Sequence, residues 1–232
     1  MTDIADAVAI AFQLILGLDG ALFRIVSLSL SISLSAVAIA GAIGLPVGAA
    51  LSVFDFPGRR AAIVVVNGFL GLPPVVVGLF VYLMLSRSGP LGVLGLLFPP
   101  AAMIVAQTIL VAPIVIALVH RAVAEAWATY GDTLLVDGAS KLRALSELLA
   151  IARSGVVTAV LAGFGRAIAE VGAIIIVGGN IAGATRTMTT AIALETSKGN
   201  LPLALGLGII LITLSVAVSA VAFVISRRGI NR

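Results

Sequence analysis

Long stretches without a single charged side chain limit the possible folds of this chain more than any other feature. One of them runs from Ile25 to Phe54. That length exceeds the roughly 20 apolar residues that a helix needs to cross the hydrocarbon core of a bilayer. Hydrophobic residues make up 61% of the chain and charged residues only 10%. A soluble fold of this size could not shield so much apolar surface from water, so we expect lipid to surround the chain.

Five apolar stretches are predicted to cross the membrane as helices. They are Ile25–Phe54, Ala61–Ser86, Ala101–Val119, Val156–Val177 and Leu201–Ser226. Pro73 and Pro74 should kink or unwind the second, because neither has a backbone N–H to donate. Ile4–Leu18 is too short to span and is predicted to be an interfacial helix. The sequence thus predicts an all-α, polytopic membrane protein with one transmembrane domain over residues 1–232 and a core of about 24–227.

Basic residues predict the orientation of the chain, because cytoplasmic loops are rich in Lys and Arg. Five spans place the termini on opposite sides, and the polar segment at 125–155 is assigned to the cytoplasm. That side then carries Arg59, Arg60, Arg121, Lys141, Arg143, Arg153, Arg227, Arg228 and Arg232. The other side carries Arg24, Arg87, Arg186 and Lys198. The N-terminus is therefore expected outside and the C-terminus in the cytoplasm.

Several classes of activity are disfavoured by residues that the chain lacks. It has no cysteine, one histidine (His120) and no H-E-x-x-H motif, so neither a metal centre nor an intramembrane enzyme is expected. It also has no G-x-x-x-x-G-K-[ST] loop for ATP. We expect no cofactor, and any ATP-driven process would draw its energy from another subunit.

The polar segment at 125–155 is the main departure from plain membrane-spanning sequence. It contains the stretch D-T-L-L-V-D-G-A-S-K, from Asp132 to Lys141, and leucines recur in it at near-helical spacing. Gly138 is predicted to separate two short helices. The residues alone leave two interpretations open: an amphipathic surface connection, or a docking segment for a cytoplasmic partner.

Two further groups of residues could act on a solute. Arg166 and Glu170 are four apart in the fourth predicted span, so they would share one helix face and neutralise each other. They could hold the helices together or line a pathway for a charged solute. The next loop supplies hydrogen-bond donors from Thr185, Arg186, Thr187, Thr189 and Thr190. This loop could be merely solvated, an outer gate or a protein contact.

In the polar segment at 125–155, and from the fourth predicted span into the next loop, the chain resembles the membrane subunits of type I ABC importers. Their signature is E-A-A, three residues, Gly, nine residues, then I-x-L-P. With Gly138 at the glycine, Asp132, Thr133 and Leu134 stand at E-A-A, while Ile151 stands where the proline would be. G-F-G-R-A-I-A-E-V-G, followed by T-R-T-M-T-T, is similar to the oxyanion branch of these importers, especially the tungstate permeases. The resemblance covers roughly Arg24–Arg227.

The resemblance implies a role for the chain and a set of partners. It implies a permease fold with a cytoplasmic coupling helix, in the cell (inner) membrane, that imports tungstate or molybdate as a homodimer. Cytoplasmic ATPases and an extracytoplasmic binding protein would complete the system. The residues that would contact the ATPase are Asp132, Asp137, Gly138, Ala139, Ser140 and Lys141. An ion-coupled secondary transporter or small channel using Arg166 and Glu170 is the alternative, although such a carrier has no need of a docking segment.

Overall fold

A computed structural model of the chain describes Ala9, Phe12–Gln13 and residues 20–228, with side chains described as far as residue 224. Within these ranges the regular structure is helical, as the composition predicts, and no strand is present. The interfacial helix predicted over Ile4–Leu18 lies outside the described residues, apart from Ala9, Phe12 and Gln13.

The helices follow one another with short connections. They are α1 (Gly20–Val53), α2 (Arg59–Gly68), α3 (Pro74–Leu85), α4 (Pro100–Val136), α5 (Lys141–Ile151), α6 (Arg153–Ile168), α7 (Gly172–Gly178), α8 (Met188–Ser197) and α9 (Leu201–Arg228). Single turns of 3-10 helix lie at Phe69–Gly71 and Gly92–Leu94.

Three of the described helices are long and apolar enough to cross a membrane: α1, α4 and α9. The number becomes five if two further pairs of helices, each bent at a short break, are each counted as one span. One pair is α2 with α3, and the other is α5 with α6, which are bent by 74°. The structure therefore has several membrane-spanning helices, and the count of five stays a prediction.

The second predicted span is interrupted where its sequence indicates. Helix α2 ends at Gly68, a 3-10 turn follows, and Pro74 is the first residue of α3. Pro73 before it is extended, with φ −68° and ψ 119°. Proline is well tolerated at the start of a helix, because the first N–H groups have no partner within the helix. The Pro73–Pro74 pair thus ends one helix and starts the next.

The third predicted span is longer than the hydropathy indicates. We expected it to stop at Val119, before His120 and Arg121, but α4 continues to Val136. Polar side chains do not end a helix by themselves; it ends at a residue that leaves helical φ and ψ, here Gly138 with φ 81°. The prediction of two short helices around Gly138 is therefore wrong for the first, which is the end of α4.

The fourth predicted span, Val156–Val177, is not continuous. Helix α6 ends at Ile168, and α7 begins at Gly172. No proline marks this interruption. The loop after it contains a helix of its own, α8.

The described chain divides into two compact units. The first comprises residues 1–36, 73–107 and 167–221. Its helices α3 and α7 touch closely, because a Cβ placed on Gly78 would lie 2.8 Å from the Cα of Ala173. Elsewhere in this unit Met188 and Ile210 form a buried cluster against the first turns of α1.

The second unit comprises residues 37–72, 108–166 and 222–232. Glycines again permit close packing: a Cβ on Gly48 would lie 2.7 Å from the carbonyl oxygen of Ile116. A Cβ on Gly163 would lie 2.8 Å from Val111. Nearby, the Ser52 hydroxyl donates to the backbone oxygen of His120 at 2.9 Å. These contacts join α1, α4 and α6 within this unit.

Candidate functional site

The predicted coupling residues lie together at the turn between α4 and α5. Gly138 adopts a positive φ of 81°. The N–H of Ala139 donates to the Leu134 oxygen at 2.9 Å, and the N–H of Gly138 donates to the Leu135 oxygen at 3.1 Å. This pair of hydrogen bonds is a Schellman motif, which ends a helix in one defined conformation. Ser140 then caps α5, because its hydroxyl accepts from the Arg143 N–H at 3.3 Å.

The surface of this turn combines charged and apolar side chains. Asp132, Asp137 and Lys141 are exposed. Beside them the side chains of Val136 and Leu142 are 86% and 73% exposed. Large apolar side chains next to charges are typical of surfaces that bind another protein. Of the six residues selected from the sequence, Asp137, Gly138, Ala139, Ser140 and Lys141 thus lie at one turn, and Asp132 lies in the end of α4 that precedes it.

Arg166 lies in the last turn of α6 and is half-buried. Counting back by one helical turn each time from Arg166 gives Ala162, Thr158 and Ser154, and all three are exposed. The opposite side of the helix is buried, with Phe164 2% and Ala167 1% exposed. We call this row of Ser154, Thr158, Ala162 and Arg166 the α6 stripe. Its members are small or polar, whereas lipid-facing positions are mostly occupied by large apolar residues.

Glu170 is not on the same helix as Arg166, contrary to the sequence prediction. Helix α6 ends two residues before Glu170, so the expected i, i+4 position on one helix face is wrong. Glu170 is buried at 3% exposure, and its Oε1 accepts from the Ala173 N–H at 3.1 Å. Its carboxylate therefore caps the start of α7, where the N–H groups carry partial positive charge.

The backbone between α6 and α7 is satisfied by side chains from other parts of the first unit. Gln107 Nε2 donates to the Ala167 oxygen at 2.9 Å. The Thr189 hydroxyl donates to the Glu170 oxygen at 2.8 Å. Non-helical backbone in a membrane protein is stable only where such partners exist, because each unpaired group costs several kcal/mol in hydrocarbon. These two side chains satisfy the interruption together with the Glu170 N–H, which donates to the Ala167 oxygen at 3.2 Å.

Sequence reasoning missed Gln107 and also Ser29, whose hydroxyl accepts from the Met188 N–H at 2.8 Å. It named Thr189 only as one donor of the outer loop. Gln107 did carry a signal, because it is an amide inside an otherwise apolar predicted span. Polar side chains in such spans usually bond to another helix. Ser29 carried no such signal, because many other Ser residues surround it in the sequence.

The loop after α7 holds the residues predicted as a gate or protein contact. Thr185 is 0% exposed, and its hydroxyl donates to the Gly178 oxygen. Thr187 is 3% exposed and forms a capping box with Thr190 at the start of α8. Their hydroxyls thus bond within the first unit. Arg186 is half-buried, and its Nε donates to the Oδ1 of Asn180 at 3.3 Å.

Arg186 also borders a cleft in the first unit. The cleft has a volume of about 520 Å³. Arg24 and the hydroxyl-bearing Ser27 and Ser31 line it from α1. No acidic side chain is among its described lining residues. The cleft therefore presents two cations and two hydroxyls, which suits an anionic group.

Curated proteins similar to this chain are transport subunits. A probable anion ABC transporter permease of Haloferax volcanii is 44% identical over 185 residues, which are 78% of this chain and 80% of that protein. The tungstate uptake permease TupB of Peptoclostridium acidaminophilum is 38% identical over 226 residues, 96% of this chain and 98% of that protein. The TupB permease of Campylobacter jejuni is 40% identical over 146 residues, 63% of this chain and 61% of that protein. No protein-family profile matches.

A solved structure has the same fold. The methionine ABC transporter MetNI, in an inward-facing conformation, includes a chain that matches with a TM-score of 0.76 and 20% identity. The match covers 91% of this chain and 97% of the MetNI chain. The apolar helices described above agree with a multi-pass protein of the cell membrane. With relatives of 38% and 44% identity over most of its length, the chain belongs to the family of ABC transporter permeases.

Proposed function

We propose that this chain is the permease subunit of an ATP-driven importer and forms the translocation pathway for a tetrahedral oxyanion, tungstate or molybdate. The observation that carries the proposal is the 38% identity to a tungstate uptake permease along 96% of the chain. A molybdenum transport permease of Azotobacter vinelandii is 31% identical over a shorter range, 53% of the chain. The substrate class of the family thus covers both anions.

The turn between α4 and α5 docks onto a cytoplasmic ATPase in this proposal. The chain has no phosphate-binding loop of its own, so ATP hydrolysis belongs to that partner. The exposed Val136 and Leu142 supply apolar contact, and Asp137 and Lys141 supply charges at its edge. Because the Schellman motif fixes the conformation of the turn, a movement of the ATPase would be passed on to α4 and α5 directly.

The pathway lies between two copies of the chain in this proposal. Each copy crosses the membrane five times, with its N-terminus outside and its C-terminus in the cytoplasm. The α6 stripe of each copy faces the other, so that Ser154, Thr158 and Ala162 lie near the two-fold axis. Arg166 supplies the positive charge that offsets the desolvation of a dianion. Glu170 stabilises the break between α6 and α7 by capping α7.

An extracytoplasmic binding protein delivers the anion at the outer end. The cleft with Arg24 and Arg186 supports this part of the proposal, because both arginines fall on the outer side in the predicted orientation. Arg186 is held in place by Asn180, since its Nη2 also donates to the Asn180 oxygen at 3.4 Å. A fixed guanidinium is suited to a tetrahedral oxyanion. The buried Thr185 and Thr187 contribute by shaping this loop, and movement of the loop would gate the pathway.

Replacement of Gly138 tests the proposal in cells. The chain is expressed with its own ATPase and binding protein in a host without tungstate or molybdate uptake, and cell tungsten is measured by mass spectrometry. Gly138→Val should abolish uptake at normal abundance in the membrane, because valine is strained at φ 81°. Gly138→Asn is the matched control, since asparagine tolerates this conformation.

The outcomes separate the parts of the proposal. No tungstate or molybdate uptake by the native system would contradict the proposed substrate. Native uptake together with normal uptake by Gly138→Val would contradict the docking role of the turn. A Cβ on Gly138 meets no atom within 4 Å, so the valine variant changes backbone conformation rather than packing.

A further inference from the structure

The Gln107 side chain has one hydrogen-bonding atom that the protein leaves unpaired. Gln107 is 1% exposed, and its Nε2 donates to the Ala167 oxygen at 2.9 Å. Its Oε1 is the one buried side-chain N or O atom among the described residues without a hydrogen-bond partner. Rotating the amide by 180° would not help, because Oε1 would then face the Ala167 oxygen, also an acceptor. The amide orientation is thus fixed, and Oε1 needs a donor.

A small cavity lies beside Gln107, with a volume of about 10 Å³. This volume is close to that of a single water-sized sphere, about 10–15 Å³. Four hydroxyl-bearing residues also line it: Ser29, Ser33, Thr187 and Thr189. A cavity that is polar and of this size binds water, whereas apolar cavities stay dry.

Most hydroxyl groups around the cavity already donate to other acceptors. Ser29 donates to the Ile25 oxygen at 2.7 Å. Thr189 donates to the Glu170 oxygen at 2.8 Å. The Thr187 oxygen lies 3.1 Å from the Thr189 hydroxyl oxygen, which can accept its proton. Among the cavity hydroxyls of the described structure, only that of Ser33 does not already have an acceptor. The lining hydroxyls therefore offer Gln107 Oε1 at most one further donor.

We propose that one buried water molecule binds in this cavity and donates to Gln107 Oε1, with the Ser33 hydroxyl as a second partner. A cation is a poorer occupant, because no acidic side chain is among the described residues that line the cavity. The water fixes the Gln107 amide, and the amide in turn satisfies the backbone where α6 ends. The proposal depends on the geometry of the first unit and not on the transported solute.

A structure at a resolution that shows buried waters tests the proposal directly. Cryo-electron microscopy of the complete transporter should show an isolated density peak about 2.7–3.2 Å from Gln107 Oε1. The peak should persist in Ser33→Ala, which removes a hydroxyl without filling space. It should vanish in Ser33→Val, where an added methyl group occupies the cavity. A map that resolves other buried waters but shows no peak beside Oε1 in the native protein would overturn the proposal.

Thermal unfolding in detergent provides a second, independent test. Ser33→Val should lower the melting temperature by about 5 °C, because Oε1 then stays buried without a donor. In a Gln107→Met background the same substitution should have little effect, since methionine leaves no acceptor to satisfy. Equal losses in both backgrounds would mean that crowding, and not displaced water, explains the change.

Discussion

At the scale of single residues, Arg166 and Glu170 belong to different segments, although they were expected to share one helix face. Arg166 ends the α6 stripe and lies near the carbonyl end of the helix, where positive charge is favourable. Glu170 is buried, and its carboxylate caps α7. Replacing Glu170 would therefore disturb folding as well as any transport, so Arg166 is the more informative residue to change.

We predict that Arg166→Gln lowers tungstate uptake about tenfold or more, because the loss of a charged hydrogen bond to a dianion costs roughly 1.5–3 kcal/mol. Glutamine keeps hydrogen-bond donors on a side chain of similar length, so the abundance of the protein should stay normal. Arg166→Lys keeps the charge and should retain more uptake. The measurement is tungsten taken up per unit of permease in the membrane. Native uptake by Arg166→Gln would assign Arg166 a structural role only.

Residues differ in how far the sequence reveals their tasks. The positive φ of Gly138 was predictable, because glycine at the end of a helical pattern commonly takes it. The hydrogen bond of Gln107 was not predictable, because its acceptor Ala167 lies 60 residues away in the chain. Hydropathy describes a residue and its neighbours, and it carries no information about which distant carbonyl a side chain bonds to.

At the scale of helices, the existence of each apolar helix was predictable and its end often was not. The interruption at Pro73–Pro74 has a local covalent cause, so the sequence predicts it. The interruption after Ile168 carries no proline, and Gln107 and Thr189, which are distant in the chain, donate to its carbonyl groups. Helix α4 was expected to end at charged residues, although only the backbone at Gly138 ends it.

Close packing of α3 against α7 gives a prediction at this scale. Gly78→Ala should lower the melting temperature in detergent by a few degrees, because its Cβ would lie 2.8 Å from the Ala173 Cα and overpacking typically costs about 1–3 kcal/mol. Gly208→Ala in α9 is the control, since its Cβ meets nothing within 4 Å. That variant should be unchanged or slightly more stable, because alanine favours helix. Equal melting temperatures for the two variants would contradict the tight α3–α7 contact.

At the scale of the whole molecule, the two units are interleaved along the chain, so each is built from segments that are distant in sequence. The resemblance to type I importers implied the family, and near-full-length relatives confirm it. The pairing of two copies stays a prediction. It rests on the α6 stripe, whose small and polar side chains are unsuited to lipid.

Disulfide cross-linking tests this pairing. The chain has no cysteine of its own, so each introduced thiol reports one position. Ala162→Cys should form covalent dimers in membranes under mild oxidation, because Ala162 is exposed on the α6 stripe. Ala167→Cys is the matched control; Ala167 is 1% exposed on the other side of the helix and should not cross-link. Dimers from both variants, or from neither, would contradict a two-fold interface at the stripe.

The hydrogen bond from Gln107 to Ala167 also has a consequence for the order of synthesis. A ribosome delivers Gln107 to the membrane 60 residues before its acceptor. During that interval the amide lies in a helix that has already been made, and an amide without partners is costly in hydrocarbon. A nascent chain arrested before Ala167 would therefore be expected to hold α4 near water or the insertion machinery, and release of α4 into lipid would follow the emergence of α6.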